Sequence, residues 1–119
     1  MPKVIAISVY VDDMDRAFAF YRDALGFKER ARPVPFIIEL EHDGAAVVLC
    51  QAESAAAGGY PNRSGVVVGV LAPDLDAAVQ RVKAAGHQPV HTEPQQYPGG
   101  TYVAVADPSG NVIELISPE

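Results

Sequence analysis

One carboxylate lies where the sequence otherwise predicts an apolar strand. Glu114 is the single charged residue in Val112–Ile116, close to the end of the sequence. A carboxylate buried among apolar side chains must be hydrogen-bonded, paired with a cation or protonated. Three chemistries therefore fit this residue: ligation of a divalent metal ion, anchoring of a cationic or hydrogen-bond-donating ligand, or general base catalysis. Which of them applies depends on the side chains that the fold brings close to it.

The segment before this strand has the composition of a tight turn. In Asp107–Asn111, Pro108 favours the φ of a turn interior and Gly110 permits a positive φ, while the first and last side chains can bond neighbouring backbone amides. The apolar runs Thr101–Ala106 and Val112–Ile116 flank the turn. This pattern predicts a β-hairpin whose second strand carries the carboxylate.

The size and charge of the chain narrow the classes of function. With 119 residues, of which 49% are hydrophobic and 20% charged, it fits one ordinary globular domain. Its 15 acidic and 9 basic residues give a net charge of −6, and the basic residues form no cluster. We therefore expect no nucleic acid partner, because phosphate binding needs clustered lysine and arginine side chains.

Cysteine content and hydropathy bear on where the protein works. Cys50 is the single cysteine, which excludes an intrachain disulfide and a cluster of thiolate metal ligands. The longest apolar run, Val66–Ala72, is too short to cross a bilayer, and residues 1–3 lead directly into a strand pattern. We expect a cytoplasmic protein that makes no contact with a membrane.

The same hydrophobic pattern occurs twice along the chain. Each half predicts a strand, a helix and three further strands, and an Ala-, Gly- and Ser-rich segment joins the halves. Asp13 and Asp74 are predicted to cap the two helices at an offset of 61 residues, which indicates a duplicated module. The predicted organisation is a single domain with a first module over residues 1–51, a linker over 52–65 and a second module over 66–119.

Periodicity and helix- or strand-breaking residues bound the individual elements. The first module predicts a helix from residue 14 to 25, and its strands cover residues 4–11, 27–32, 36–41 and 45–50. The second module predicts a helix between residues 75 and 85, and its strands cover residues 66–72, 88–92, 101–106 and 112–116. A Pro- and Gly-rich loop over 94–100 predicts either an ordinary connection or a mobile lip that closes Tyr97 over a ligand.

Three segments together carry a family resemblance. They are Val9-x-Val11-x-Asp13-Met14-x-Arg16-Ala17-x-Ala19-Phe20-Tyr21-x-x-x-Leu25-Gly26-Phe27, Asp74-Leu75-Asp76-Ala77-Ala78 with Lys83-Ala84-Ala85-Gly86, and Asp107-Pro108-x-Gly110-Asn111-x-Ile113-Glu114-Leu115. In these segments the chain resembles the vicinal oxygen chelate superfamily, which contains lactoylglutathione lyases, extradiol dioxygenases, fosfomycin-resistance transferases and bleomycin-binding resistance proteins. The resemblance implies an α+β fold of two tandem βαβββ modules whose sheets curl into a cup with the helices outside.

The resemblance also implies where a metal site would lie. Enzymes of the family hold a divalent ion in the cup on residues early in the first and fifth strands and on the last strand, and some add a residue from the end of the first module. In this chain those positions fall on Ala6, Val67, Glu114 and Val48. Only Glu114 offers a ligating atom, and one carboxylate does not make a divalent metal site. We therefore expect no metal and no other cofactor, and a displaced site that uses His91 or Glu39 remains the alternative.

The cup that the resemblance implies has a mixed lining. Strand alternation directs Phe36, Ile38 and Leu40 towards the helices and the carboxylate between them towards the cup. The predicted ligand-binding residues are Glu114, Glu39, Ser8, Tyr10 and Tyr102. Carboxylates between aromatic walls suit a small organic ligand that is cationic or donates hydrogen bonds.

These expectations favour a binding protein over an enzyme. The first hypothesis is a metal-independent protein, similar to the bleomycin-resistance branch, that binds or sequesters a small organic molecule. The alternatives are a metal-dependent lyase or dioxygenase with displaced ligands, a metal-free catalyst that uses Glu114 as general base, and a regulatory subunit with a filled cup. By analogy with the family we expect a homodimer, and its modules can pair either within a chain or between chains.

Overall fold

Two βαβββ units make up the fold. The structure is a computed structural model that describes residues 1, 6–54, 60 and 66–119. The first module consists of β1 (Ala6–Val11), α1 (Met14–Asp23), β2 (Lys28–Val34), β3 (Ile37–Glu41) and β4 (Ala46–Gln51). The second consists of β5 (Val68–Leu71), α2 (Leu75–Ala84), β6 (Gln95–Tyr97), β7 (Gly100–Ala106) and β8 (Val112–Pro118). Of the helices in this part of the chain, neither is long and apolar enough to span a membrane.

Each module forms a four-stranded mixed sheet, and the two sheets have the same topology. The strand orders are β1-β4-β3-β2 and β5-β8-β7-β6, with the first strand of each module parallel to its last. Ser8 lies opposite Val48 in the first sheet, as Gly69 lies opposite Glu114 in the second. The α+β fold and the internal repeat are therefore confirmed. The linker between the modules falls mostly outside the described residues, as does the predicted start of β1 at residue 4.

Equivalent aspartates begin the two helices. The side chains of Asp13 and Asp74 each accept a hydrogen bond from the backbone amide three residues later, at 3.1 and 3.0 Å. This bond satisfies one of the amides that have no partner within the first turn of a helix. Gly26 and Gly86 follow the helices with φ values of +85° and +92°, a conformation that side chains with a Cβ resist. The caps confirm the 61-residue repeat.

The core lies between the helices and one face of each sheet. Every second residue of a strand points towards the helices and is mostly buried. The opposite face of each sheet, here called the cup face, is less buried. The buried strand residues on the helix side are Val9, Val11, Ile38, Leu40, Val47, Leu49, Val103, Val105, Ile113 and Leu115, and Gly100 and Ala104 of β7 are buried on the other side. Phe36 is 54% exposed, so the prediction that it joins the helix side is wrong. It precedes β3, and the alternation of the strand does not extend to it.

The edge of the second sheet differs from the sequence prediction. The strand expected over residues 88–92 is not formed, and that segment contributes one isolated bridge from Pro89 to Val105. Proline has no N–H with which to continue a ladder. The edge strand is β6 instead, inside the segment predicted as a loop over 94–100. Its three backbone pairs with β7 favour an ordinary connection over a mobile lip.

The turn of the closing hairpin forms as its sequence predicts. Asp107 is 4% exposed and accepts hydrogen bonds at 2.9 and 2.8 Å from the backbone amides of Ser109 and Asn111. Gly110 has a φ of +90°, which explains the need for glycine at this position. The turn therefore organises itself around one buried carboxylate.

The same turn joins the two modules within the chain. The hydroxyl of Tyr21 in α1 donates to Asp107 at 2.9 Å, and the hydroxyl of Ser109 donates to Asp12 at 2.6 Å. The side-chain amide of Asn111 donates to a main-chain carbonyl of β1 at 2.8 Å. These bonds hold the hairpin that carries β8 against the first helix and strand.

Loss of the buried hydroxyl at this junction tests how strongly it stabilises the fold. We expect Tyr21→Phe to lower the free energy of unfolding by about 1.5–3 kcal/mol, because a hydrogen bond to a buried charged group is lost. Urea denaturation measures the change. The control is Tyr10→Phe, at a tyrosine that is 60% exposed, and it is expected to shift stability by less than about 0.5 kcal/mol. Equal effects of the two substitutions would contradict the role of the Tyr21 hydroxyl.

The same hydroxyl makes stability depend on alkaline pH. Burial, the charge of Asp107 and the hydrogen bond to it raise the pKa of Tyr21 above its ordinary value of 10.0. The folded state keeps this proton where the unfolded chain loses it, so the stabilisation is complete below about pH 10 and decreases above it. Urea titrations between about pH 9 and pH 11 should show a steeper decrease for the wild type than for Tyr21→Phe. Parallel decreases would contradict this assignment.

Candidate functional site

Glu114 lies on the cup face between two small residues. It is half-buried in β8, opposite Gly69 of β5 on one side and Ala104 of β7 on the other. Neither neighbour has a side chain that extends beyond a methyl group, but Ala104 is fully buried, and Cδ1 of Ile116 lies 2.8 Å from the position that a Cβ on Gly69 would take. The position that the sequence identified as unusual is therefore partly covered on the sheet surface.

A tyrosine from the predicted linker contacts this carboxylate. The hydroxyl of Tyr60 donates to Glu114 Oε2 at 2.6 Å. Partial burial, the hydrogen bond to Glu114 and its negative charge raise the pKa of Tyr60 above its ordinary value, with a smaller contribution from Tyr102. The phenol therefore keeps its proton and remains the donor at neutral pH. Sequence reasoning missed this residue, whose one signal was an isolated aromatic side chain in an Ala- and Gly-rich segment.

Aromatic rings surround the bonded pair. The His91 ring packs edge-to-face against Tyr60 and Tyr102, with ring centroids 6.0 and 5.6 Å away. Tyr97 packs against Tyr102 at 6.2 Å. Such contacts are geometrically selective, because the electron-rich face of one ring attracts the edge of another. We call Tyr60, His91, Tyr97 and Tyr102 the aromatic cluster.

The position of His91 depends on the broken edge of the second sheet. Its Nδ1 accepts a hydrogen bond at 3.0 Å from the backbone N–H of Ala104, whose carbonyl accepts from the amide of Val90 at 2.8 Å. A side chain thus replaces the backbone acceptor that a continuous strand would supply. Because Nδ1 accepts, the proton of the neutral ring lies on Nε2, which makes His91 a hydrogen-bond donor through that atom.

The other predicted residues lie on the first sheet. Ser8 and Glu39 both face Val48 in the register, and Tyr10 lies opposite Cys50 in the next row. All three predicted side chains belong to the cup face, on which Ser8 and Tyr10 are exposed and Glu39 is half-buried. Their role in ligand binding stays a prediction.

The structure thus divides the predicted residues between the two sheets. Glu114 and Tyr102 lie in the second sheet close to Tyr60, whereas Ser8 and Tyr10 line a cleft of about 310 Å³ between the modules. Glu114 is not part of that cleft. Among the hydrogen bonds of the described residues, none joins Glu39 to Glu114. The two carboxylates were expected to form one anionic floor, and that arrangement stays a prediction as well.

The residues at the metal positions of the family do not fit a divalent ion. The sheet register confirms that Val48 is the first-module equivalent of Glu114, and Ala6 and Val67 likewise carry no ligating side-chain atom. One oxygen of Glu114 accepts the Tyr60 hydrogen bond. Over the residues that the structure describes, no three His, Cys, Asp or Glu side chains lie close enough together to hold a metal ion. A single carboxylate that already accepts a phenol hydrogen bond does not supply the several donors that a divalent ion needs.

Comparison with known proteins identifies relatives across the whole chain. The sequence model of the Glyoxalase/Bleomycin resistance protein/Dioxygenase superfamily matches residues 3–115. TnmS3, an antibiotic binding protein from Streptomyces sp. CB03234, is 26% identical and superposes with a TM-score of 0.75 over 100% of this chain and 98% of its own. No curated protein matches the sequence.

Two enzyme or resistance proteins share the fold at lower identity. A lactoylglutathione lyase from Agrobacterium tumefaciens is 24% identical, with a TM-score of 0.71 over 95% of this chain and 91% of its own. The fosfomycin resistance protein FosX from Listeria monocytogenes is 16% identical, with a TM-score of 0.78 over 100% and 94%. At this identity the likeness concerns the fold alone.

Proposed function

Because the chain belongs to the Glyoxalase/Bleomycin resistance protein/Dioxygenase superfamily, we propose that it binds a small organic molecule on the cup face of its second sheet without using a metal ion. The observation that carries the proposal is the hydrogen bond between Tyr60 and Glu114 inside the aromatic cluster. A carboxylate bordered by aromatic rings is suited to anchor an organic group, and a lone carboxylate is poorly suited to hold a metal.

The carboxylate has binding capacity left for a ligand. Tyr60 occupies Oε2 of Glu114, and no other described residue donates a hydrogen bond to Oε1. A ligand that is cationic or carries an N–H or O–H donor can pair with this charge. The net charge of −6 also favours the approach of a cation over that of an anion.

One relative is named for binding a small molecule, which is the kind of function that sequestration would require. TnmS3 is named as an antibiotic binding protein, and its length and fold match those of this chain. We extend that role to this protein as part of the proposal, together with the homodimer expected by analogy with the family and the cytoplasmic location expected from the sequence. The proposed ligand class is a small organic molecule.

The enzyme alternatives receive less support from the same residues. A metal-dependent lyase or dioxygenase needs ligands that Ala6, Val67 and Val48 do not supply. A metal-free catalyst needs Glu114 to take a proton from a substrate, and among the described residues no acid or base other than the Tyr60 phenol bonds to Glu114 to take part in such a transfer.

A ligand screen tests the proposal. We expect members of a library of small organic amines, phenols and aromatic natural products to raise the melting temperature of the protein, because a ligand of the native state stabilises it. For a cationic ligand, Glu114→Gln should weaken binding at least about tenfold by calorimetry, since a charged partner is lost.

Two further glutamates serve as controls in that screen. Glu29→Gln removes one charge from the exposed edge strand β2 and should leave affinity unchanged. Glu39→Gln determines whether the carboxylate of the first sheet contributes to the same ligand. The absence of any stabilising compound, or equal affinity of the Glu114→Gln variant and the wild type, would contradict the proposal.

A further inference from the structure

Tyr60 is placed unlike the rest of the residues that surround Glu114. His91, Tyr97 and Tyr102 belong to the second module and are held by β6, β7 and the segment beside them. Tyr60 instead belongs to the segment between the modules, and its side chain contacts the sheet at Glu114. Tyr60 is therefore not a strand residue of this sheet, although its side chain bonds to one.

The contacts of this side chain are those that a small ligand would make. A phenol ring donates its hydroxyl to Glu114 at 2.6 Å and presents its ring edge-to-face to His91 at 6.0 Å. Tyr102 lies near the same hydroxyl and contributes to the raised pKa of Tyr60. Hydrogen bonding at one end and ring packing along the side define recognition of an aromatic hydrogen-bond donor.

We propose that the Tyr60 side chain occupies the place of the ligand's anchoring group, so that the ligand of this protein carries an aromatic ring with an attached O–H or N–H donor and binds by replacing Tyr60 on Glu114. The inference rests on the proposed function and narrows its ligand class. It requires no residue beyond those whose contacts are described.

Replacement of an internal group has a thermodynamic consequence. While Tyr60 occupies Glu114, the site is available for only a fraction of the time, and the apparent affinity for a ligand is reduced by that fraction. Substitutions at the two ends of the hydrogen bond should therefore act in opposite directions. Loss of Glu114 removes the anchor and weakens binding, whereas loss of Tyr60 removes the competitor and strengthens it.

A wall residue would behave in the opposite way. If Tyr60 were one side of a preformed aromatic site, its removal would delete a ring contact and weaken ligand binding. The sign of the change at Tyr60 thus separates a competitor from a wall. Both roles of Tyr60, competitor and wall, are compatible with the structure without ligand, and they differ in how the ligand affinity responds to removal of the side chain.

The test titrates the protein and its variants with 4-methylphenol, which reproduces the tyrosine side chain, and follows backbone amide signals by NMR. We expect Tyr60→Ala to bind this probe at least about tenfold more tightly than the wild type, because the vacated position matches it and the competitor is gone. Tyr60→Phe, which keeps the ring and loses the donor, should lie between the two. In the Tyr60→Ala background, Glu114→Gln should reverse the gain.

Two matched probes separate the parts of the recognition. 4-Methylanisole keeps the ring and has no donor, and 4-methylcyclohexanol keeps the donor and has no aromatic ring. Both should bind Tyr60→Ala more weakly than 4-methylphenol does. Equal binding of all three probes would contradict recognition of an aromatic donor, and weaker binding of 4-methylphenol to Tyr60→Ala or Tyr60→Phe than to the wild type would identify Tyr60 as a wall.

The outcomes for this inference and for the proposed function are distinct. A library compound that binds the wild type, depends on Glu114 and binds Tyr60→Ala no more tightly would refute the inference and leave the proposed function intact. Tight binding of 4-methylphenol to Tyr60→Ala, with no library compound bound by the wild type, would contradict the proposed function and support the assigned chemistry of the position.

Discussion

The hydrogen bonds to the buried carboxylate of Asp107 hold the two modules in their relative positions. The carboxylate accepts hydrogen bonds from two backbone amides of its own turn and from the hydroxyl of Tyr21 in the other module. A buried charge with fewer partners would be strongly destabilising, so the turn, α1 and the end of β1 are constrained together. The strand that follows this turn is β8, and the junction therefore determines where Glu114 lies.

Glu114 has a different environment although it lies only seven residues further along the chain. Strand alternation places it on the cup face, between Gly69 and Ala104, where it is half-buried and accepts the Tyr60 hydrogen bond. The duplicated first module has Val48 at the equivalent position. The second module thus has a carboxylate where the first has an apolar side chain. Tyr60, from the segment between the modules, donates a hydrogen bond to that carboxylate.

Features governed by local rules were predictable from the sequence. The Asp13 and Asp74 caps, the closing hairpin and the equivalence of Val48 with Glu114 follow from capping, turn chemistry and period-two alternation. The strand at residues 88–92 was not predictable, because Pro89 ends the ladder and the side chain of His91 takes over as acceptor. The contact of Tyr60 with Glu114 joins residues 54 positions apart and depends on tertiary structure that no periodicity encodes.

If Glu114 anchors an organic group and binds no metal ion, protein purified without chelator and without added metal should contain little metal. Elemental analysis should find zinc, nickel, iron and manganese all far below one ion per chain, with the same content in Glu114→Gln. A stoichiometric amount of one of these metals that is lost in Glu114→Gln would show that the carboxylate is a metal ligand.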